Sequence, residues 1–423
     1  RIEPFRFDAI IALVFLGDIT SLKSLLGDLD WIVRAVAVEA LAVFKDRVPE
    51  EAIKDIAARL RDDEGYVREA TVKALAKLEH RVPEEVIKAI AGRLHDDEGY
   101  VREAAVKALA KLGDRVPEEV IKAIAGRLRD DDSDVREAAV EALAKLGDRI
   151  PEEVIKDIAG LLRDDKGYVC EAAVEALAVF KDRIPEEVIK DIAGWLRDDD
   201  SDVRAVAVKA LAKLGDRVPE EAIKAIAGRL HDDDSDVRAV AVEALAVFKD
   251  RMPEEVLKAI AGRLHDDDSD VRAVAVEALA VFKDRMPEEV LKAIAGRLHD
   301  DDSDVRAATV EALAKLEDRV PEEVLKAIAA RLRDDEWDVR EAAVEALAVF
   351  KDRVPEEVIK DIAGWLRDDK GYVREAAVEA LAVFKDRVPE EVIKDIAGRL
   401  RDDEWDVREA AVEALAVFKD RVP

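Results

Sequence analysis

Pro117-Glu-Glu-Val-Ile-Lys-Ala-Ile-Ala-Gly-Arg-Leu-Arg-Asp-Asp-Asp-Ser-Asp-Val-Arg-Glu-Ala-Ala-Val-Glu-Ala-Leu-Ala-Lys-Leu-Gly-Asp-Arg-Ile150 is the stretch from which the fold can be read. Its proline recurs every 34 residues, at Pro49, Pro83, Pro117 and onward to Pro423, so that eleven full units run from Pro49 to Val422. A period of that length predicts stacked supersecondary units rather than separate globular domains. Each unit reads as two helices. The first opens at the proline, whose fixed φ and missing N–H suit the first helical position, and Glu84 and Glu85 then complement the positive end of the helix dipole. Ile87, Ile90, Ala91 and Leu94 form its apolar stripe. An acidic turn such as Asp130 to Asp134 follows, where Ser or Asp caps the second helix and Asp134 with Glu137 has capping-box spacing. Val67, Thr71, Ala74, Leu75 and Leu78 make an apolar face that a lone helix pair cannot bury, so stacked neighbours must cover it.

Residues 1 to 28 read as an atypical N-terminal capping unit: Phe7 to Leu16 is apolar nearly all round, Gly17-Asp18 breaks it, and Thr20 to Leu26 makes a brief helix. The array proper is read as 29 to 423. An ordinary second helix runs directly up to Pro423 and the chain opens at Arg1, so the expectation is a piece of a longer polypeptide, with further repeats or another domain beyond 423.

Composition narrows the function. Asp and Glu number 99 against 69 Lys and Arg, a net charge of −30, which argues against nucleic acid as a partner. No run approaches the roughly 18 to 20 apolar residues of a membrane helix. The single cysteine, Cys170, excludes an internal disulfide framework and a cysteine zinc cage, and fits a cytoplasmic, reducing setting.

The run Asp-Asp-x-x-x-Val-Arg-x-Ala-x-Val-x-Ala-Leu-Ala-x-Leu-Gly-Asp, as at Asp130 to Asp148, resembles the HEAT-like repeats named after phycobilisome lyases. The resemblance implies an all-α solenoid, antiparallel helix pairs stacked into a right-handed superhelix, with the Val-Arg helices on the concave side. It also implies a ladder of turn aspartates and helix arginines between units, placing Asp62 with Arg68, Asp96 with Arg102, Asp130 with Arg136 and Asp232 with Arg238 in structural roles. Cys170 stands where one such arginine belongs, and nothing nearby in the sequence is arranged to stabilise a thiolate. The first ten residues of a unit are also similar to the first helix of the DNA-reading repeats of transcription-activator-like effectors. There, however, the variable pair would fall on Gly92-Arg93, which hardly changes here, and each unit is acidic where phosphate tracking demands a basic stripe. The tetratricopeptide pattern, of the same length, lacks its aromatic positions.

Chemistry is sparse. Asp130, Asp132, Asp134 and Glu141 match ligand positions of a calcium loop, but Val135 replaces the required glycine and a helix keeps Glu141 from closing the cage. His95, His231, His265 and His299 share one register position, yet adjacent units hold them about 8 to 10 Å apart, too far to share a metal. No nucleophile sits beside a fixed histidine and no glycine-rich phosphate cradle is present. No catalytic residue, cofactor or metal is therefore expected, and the lyase chemistry in the repeat name is not carried over.

Internal comparison of the units shows where change is tolerated. The apolar stripe barely varies, whereas the pair before the Val, the pair after the Arg, and positions such as Lys73 and Lys77 change along one face of the second helix, which the resemblance makes concave. The substitutions include Tyr66, Tyr100, Tyr168, Trp337, Tyr372 and Trp405, residue types that anchor interfaces. Lys73 and Lys107 belong to a lysine-bearing N-terminal half, Glu345 and Glu379 to a glutamate-bearing C-terminal half. The reading is a non-catalytic scaffold or recognition arm of a larger signalling or sensor protein that binds a protein or peptide of graded charge. The alternative is a purely structural or engineered array without a ligand. Oligomeric state is not legible.

Overall fold

The computed structural model describes residues 4–419 and 421. Among them are 25 α-helices, most pairs closed by short 3-10 turns, and no strand. The chain divides into two compact units, Arg1–Val218 and Pro219–Pro423. The first opens with helices Pro4–Leu16, Ile19–Ser24 and Trp31–Val43 and continues through five proline-headed pairs, from Glu50–Ala58 with Gly65–Lys77 to Glu186–Trp195 with Ser201–Leu214. The second holds six such pairs, from Glu220–Gly228 with Ser235–Val247 to Glu390–Gly398 with Trp405–Val417.

Two sequence expectations about helix starts shift by a residue or two. Pro49, Pro83 and their equivalents are extended (φ −60 and ψ 149 at Pro49) and sit at the N-cap, so the paired glutamates hold the first two helical positions. Asp132, Asp200, Asp234, Asp268 and Asp302 cap their second helices, the Asp132 carboxylate accepting from the N–H of Asp134 at 3.0 Å, whereas Glu64, Glu98, Lys166, Glu336, Lys370 and Glu404 hold the same position without a side-chain cap bond. Asp134 and Glu137 therefore lie inside the helix. The proposed stripes are the core: Ile87, Ile90 and Leu94 are buried in the first helix, and Val67, Thr71, Ala74, Leu75 and Leu78 in the second. Within each unit, second helices pack chiefly against second helices of adjacent repeats, which removes the apolar face from water.

Arginine joins one repeat to the next. Arg68 donates from Nε and Nη2 to the Asp96 carboxylate at 2.9 and 2.6 Å, and from Nη1 to the carbonyls of Asp62 and Asp63 at 3.0 and 3.1 Å. Both side chains are buried. The expected partnership of Asp62 with Arg68 thus runs through the Asp62 backbone, while the Asp62 carboxylate serves Arg34 of the preceding repeat. The same joint recurs at Arg102–Asp130, Arg136–Asp164, Arg238–Asp266, Arg272–Asp300, Arg306–Asp334 and Arg374–Asp402. Its bidentate geometry is one that lysine cannot supply. A second series, which the sequence reading missed, lies at the turn after each second helix: Arg81 donates to the carbonyls of Lys45 and Asp46, Arg115 to those of Glu79 and Val82, and Arg285 to those of Lys249 and Met252.

The first ladder is interrupted twice. The buried Cys170 thiol donates only to the Asp164 carbonyl, at 3.3 Å, and burial pushes its pKa up, which makes it a poor nucleophile. Asp198 is met instead by Arg163 at 2.9 Å. Arg340 keeps its backbone bonds to Asp334 and Asp335, but Asp368 is met by Arg333 at 3.1 Å.

Replacing Arg102 by Ala leaves the buried Asp130 carboxylate only Arg127 at 3.1 Å and the N–H of Asp132, and is expected to cost about 3 kcal/mol, the lower end for breaking a buried pair. Cys170→Ala, at a position where the joint is already missing, is expected to cost about 1 kcal/mol or less. Urea unfolding followed by circular dichroism measures both.

Candidate interaction face

The exposed side of the second helices differs between the two units. In Arg1–Val218, Lys73, Lys77, Lys107 and Lys111 wall a groove floored by Ala76, Ala104 and Ala108, with Tyr100 also lining it. Lys73 and Lys107 are each held by a glutamate one turn earlier, Glu69 at 2.5 Å and Glu103 at 2.6 Å. Such exposed pairs are weak enough for a ligand carboxylate to exchange with.

The tyrosines are tied to neighbouring repeats. Tyr66 stacks between Trp31 and Tyr100, with ring centroids 5.5 and 5.2 Å apart. Gly65 allows this approach: a Cβ there would meet the Tyr100 hydroxyl at 2.2 Å. Tyr168 bonds Ser133 and Asp134 of the repeat before it at 2.6 and 3.1 Å. Tyr372 donates to Asp335 at 2.7 Å, and the Arg340 guanidinium lies 4.3 Å from the centre of its ring. Trp31 was overlooked as a candidate, although it shares a register position with Trp337 and Trp405.

Trp337 and Trp405 behave differently. They are 61% and 62% exposed, with no hydrogen bond or ring partner among the described residues. They sit at the starts of helices Trp337–Phe350 and Trp405–Val417, on either side of Gly371–Val383. The three helices carry Glu341, Glu345, Glu375, Glu379, Glu409 and Glu413. Although Glu379 as a residue is exposed, its carboxyl is pushed up to about 7, first by desolvation and then by repulsion from Glu375, Glu413 and Glu341, with Arg340 opposing. Glu375 is raised too, by desolvation and then by Asp406. Glu345 is exposed on the preceding helix. This face is an anionic strip whose charges are not balanced by the protein. Among the described residues no group of side chains is arranged to hold a metal, and no helix is long and apolar enough to cross a membrane.

A family model of HEAT repeats matches residues 19–110, 87–178, 158–246, 255–348 and 325–416. No curated protein matches in sequence. Solved structures are similar in fold. Yeast importin-beta (Kap95p) is 14% identical with a TM-score of 0.72, over 95% of this chain and 62% of that one. Kap95 in its complex with Nup1 gives 14% and 0.73, over 96% and 62%, and Kap121p bound to Ste12p gives 15% and 0.65, over 99% and 50%. The chain thus spans from half to just under two thirds of these proteins.

A carboxylate whose folded pKa lies above its unfolded one opposes folding in full above the folded value, and the penalty falls away as pH drops from the folded toward the unfolded value. Glu379→Gln is therefore expected to raise the melting temperature most at pH 8 and by clearly less at pH 5.5. Thermal melts at the two pH values read the difference.

Proposed function

The chain belongs to the HEAT-repeat family, and we propose that it is a non-catalytic scaffold or recognition arm that takes up a protein partner along the exposed, concave side of its second helices. The observation that carries this reading is the pair Trp337 and Trp405, solvated and unpartnered above a strip of glutamates. Large amphipathic rings on rigid helices are pre-organised anchors, since little side-chain entropy remains to be lost on binding. Glu345 and Glu379 favour a basic segment, whose ammonium or guanidinium groups relieve the repulsion among the carboxylates. Lys73 and Lys107, in the first unit, favour acidic segments of a partner. Tyr66, Tyr100, Tyr168 and Tyr372, bonded to neighbouring repeats, hold the face in register and offer their exposed edges. Solved arrays of like fold with protein partners, Kap95 with Nup1 and Kap121p with Ste12p, support this kind of use. A cytoplasmic setting, as part of a larger signalling or sensor protein, is in keeping with the unpaired, buried Cys170 thiol.

Titration of an oligo-arginine peptide, followed by tryptophan fluorescence, tests the reading. Binding is expected to weaken with salt, and to weaken from pH 8 to pH 6 as Glu379 takes up its proton. Trp337→Ala and Trp405→Ala should each cost roughly 2 kcal/mol of affinity or more if they are hot spots, with the melting temperature nearly unchanged. Tyr66→Ala should lower the melting temperature instead. Absence of binding, or melting that collapses in the tryptophan variants while affinity holds, overturns the proposal.

A further inference from the structure

The two interruptions of the arginine–aspartate ladder share a feature: the repeat that follows carries tryptophan near the end of its first helix, Trp195 in one and Trp365 in the other. The acceptor sides of two junctions can be compared directly, the acidic turns of their donor repeats differing at Asp132-Ser133 against Glu336-Trp337. Pro151 to Cys170 and Pro355 to Arg374 are identical except at Leu161 against Trp365 and Cys170 against Arg374. With Leu161, helix Glu152–Gly160 closes in a 3-10 turn and Asp164 receives Arg136 at 2.7 Å through both Nε and Nη2. With Trp365, the helix runs on as Glu356–Trp365 without that turn, and Arg340 does not hold Asp368.

At the first interruption Cys170 also lacks the guanidinium, and at the second Arg340 lies 4.3 Å from the Tyr372 ring centre; common to both is a competition of charge and ring around the tryptophan. Where the next repeat has Leu161 or Arg399 at this position, the arginine of the preceding acidic turn bonds the first helix of that repeat: Arg129 to Asp157 at 2.9 Å and Arg367 to Asp395 at 3.0 Å. Asp191 and Asp361 are present for the same purpose in the tryptophan-bearing repeats. Yet Arg163 and Arg333 instead lie 5.9 Å from the ring centres of Trp195 and Trp365, a cation–π placement, and from there take the Asp198 and Asp368 carboxylates. A buried bidentate joint is exchanged for a one-point pair whose arginine is 54% exposed at Arg333. Pairs of that kind contribute little. Helices Trp337–Phe350 and Gly371–Val383 also meet less extensively than Gly371–Val383 and Trp405–Val417 do.

The weakened junction lies between the repeats that carry Trp337 and Trp405. We propose that Trp365 makes this junction a flexure, which lets the spacing of the two tryptophan anchors follow the partner and stiffens when the partner is bound. The proposal rests on the docking role given above to that pair.

Nitroxide labels at Asp338→Cys and Asp406→Cys in a Cys170→Ala background, read by double electron–electron resonance on the whole chain, test it. Labels at Asp236→Cys and Asp304→Cys occupy the same register and span two junctions with intact joints, Arg238–Asp266 and Arg272–Asp300, and serve as the reference. The 338/406 distance distribution is expected to be broader than the reference. Trp365→Leu should narrow it to the reference width, with Trp365→Arg as a second route to the same end, and saturating oligo-arginine should narrow it in the protein with Trp365 intact. Equal widths in all three overturn the flexure even if the peptide binds. A width that Trp365→Leu narrows, with no peptide bound under any condition, keeps the soft junction and overturns the docking role on which the proposal depends.

Discussion

A buried guanidinium that must find a carboxylate on the next repeat is the constraint on which each stack depends. Two charges of opposite sign lie in surroundings where either alone would be costly, so every repeat is complete only when its neighbour is in register. Apolar burial drives the helices together without specifying how they slide past one another, because the Ala, Val and Leu faces of successive repeats are nearly interchangeable. The arginine settles the register: its Nε and Nη2 fix the following turn, and its Nη1 fixes the turn of its own repeat.

Because the joints hold the packed side so tightly, the opposite side of each second helix is free to vary in charge and size without loss of fold. The strip from Glu341 to Glu413 shows how far that freedom extends. Desolvation first, and then like charges repeated helix after helix, raise the Glu379 carboxyl to about 7, while the Arg374–Asp402 joint of the same repeat stays in place. Stability is thereby assigned to one face of the helix, and the other face is left free to change.

Much of this was legible in the sequence. The proline period, the Val-Arg helix and the acidic turn specify repeat length, helix pairing and the members of the ladder, since each follows from local chemistry repeated many times. The direction of the ladder was less accessible. Asp62 to Arg68 is a short separation that invites a local bond, and only the structure shows the carboxylate reaching back to Arg34. The candidate aromatics divided for a similar reason. Tyr66 and Trp337 look alike as exposed rings near a helix start, but Tyr66 stacks on rings of both neighbouring repeats, whereas Trp337, in the register of the stacked Trp31, has no ring partner among the described residues. Least visible was the effect of Trp365, which acts by drawing an arginine of the preceding repeat from one aspartate to another, a competition between contacts that no single-residue propensity contains.

The second arginine series has an evolutionary consequence. Its acceptors are main-chain carbonyls, at Glu79 and Val82 for Arg115 and at Gly113 for Arg149, so the docking surface does not depend on which side chain the neighbour carries. A gene segment encoding one repeat can be duplicated, deleted or exchanged by unequal crossing-over, and the product still meets its new neighbours with bonds already in place. Near-identical stretches such as Pro151 to Val169 and Pro355 to Val373 supply the sequence identity such exchange requires. The architecture that stabilises the array is thus also one that lets its length and its exposed face be reshuffled at low mutational risk.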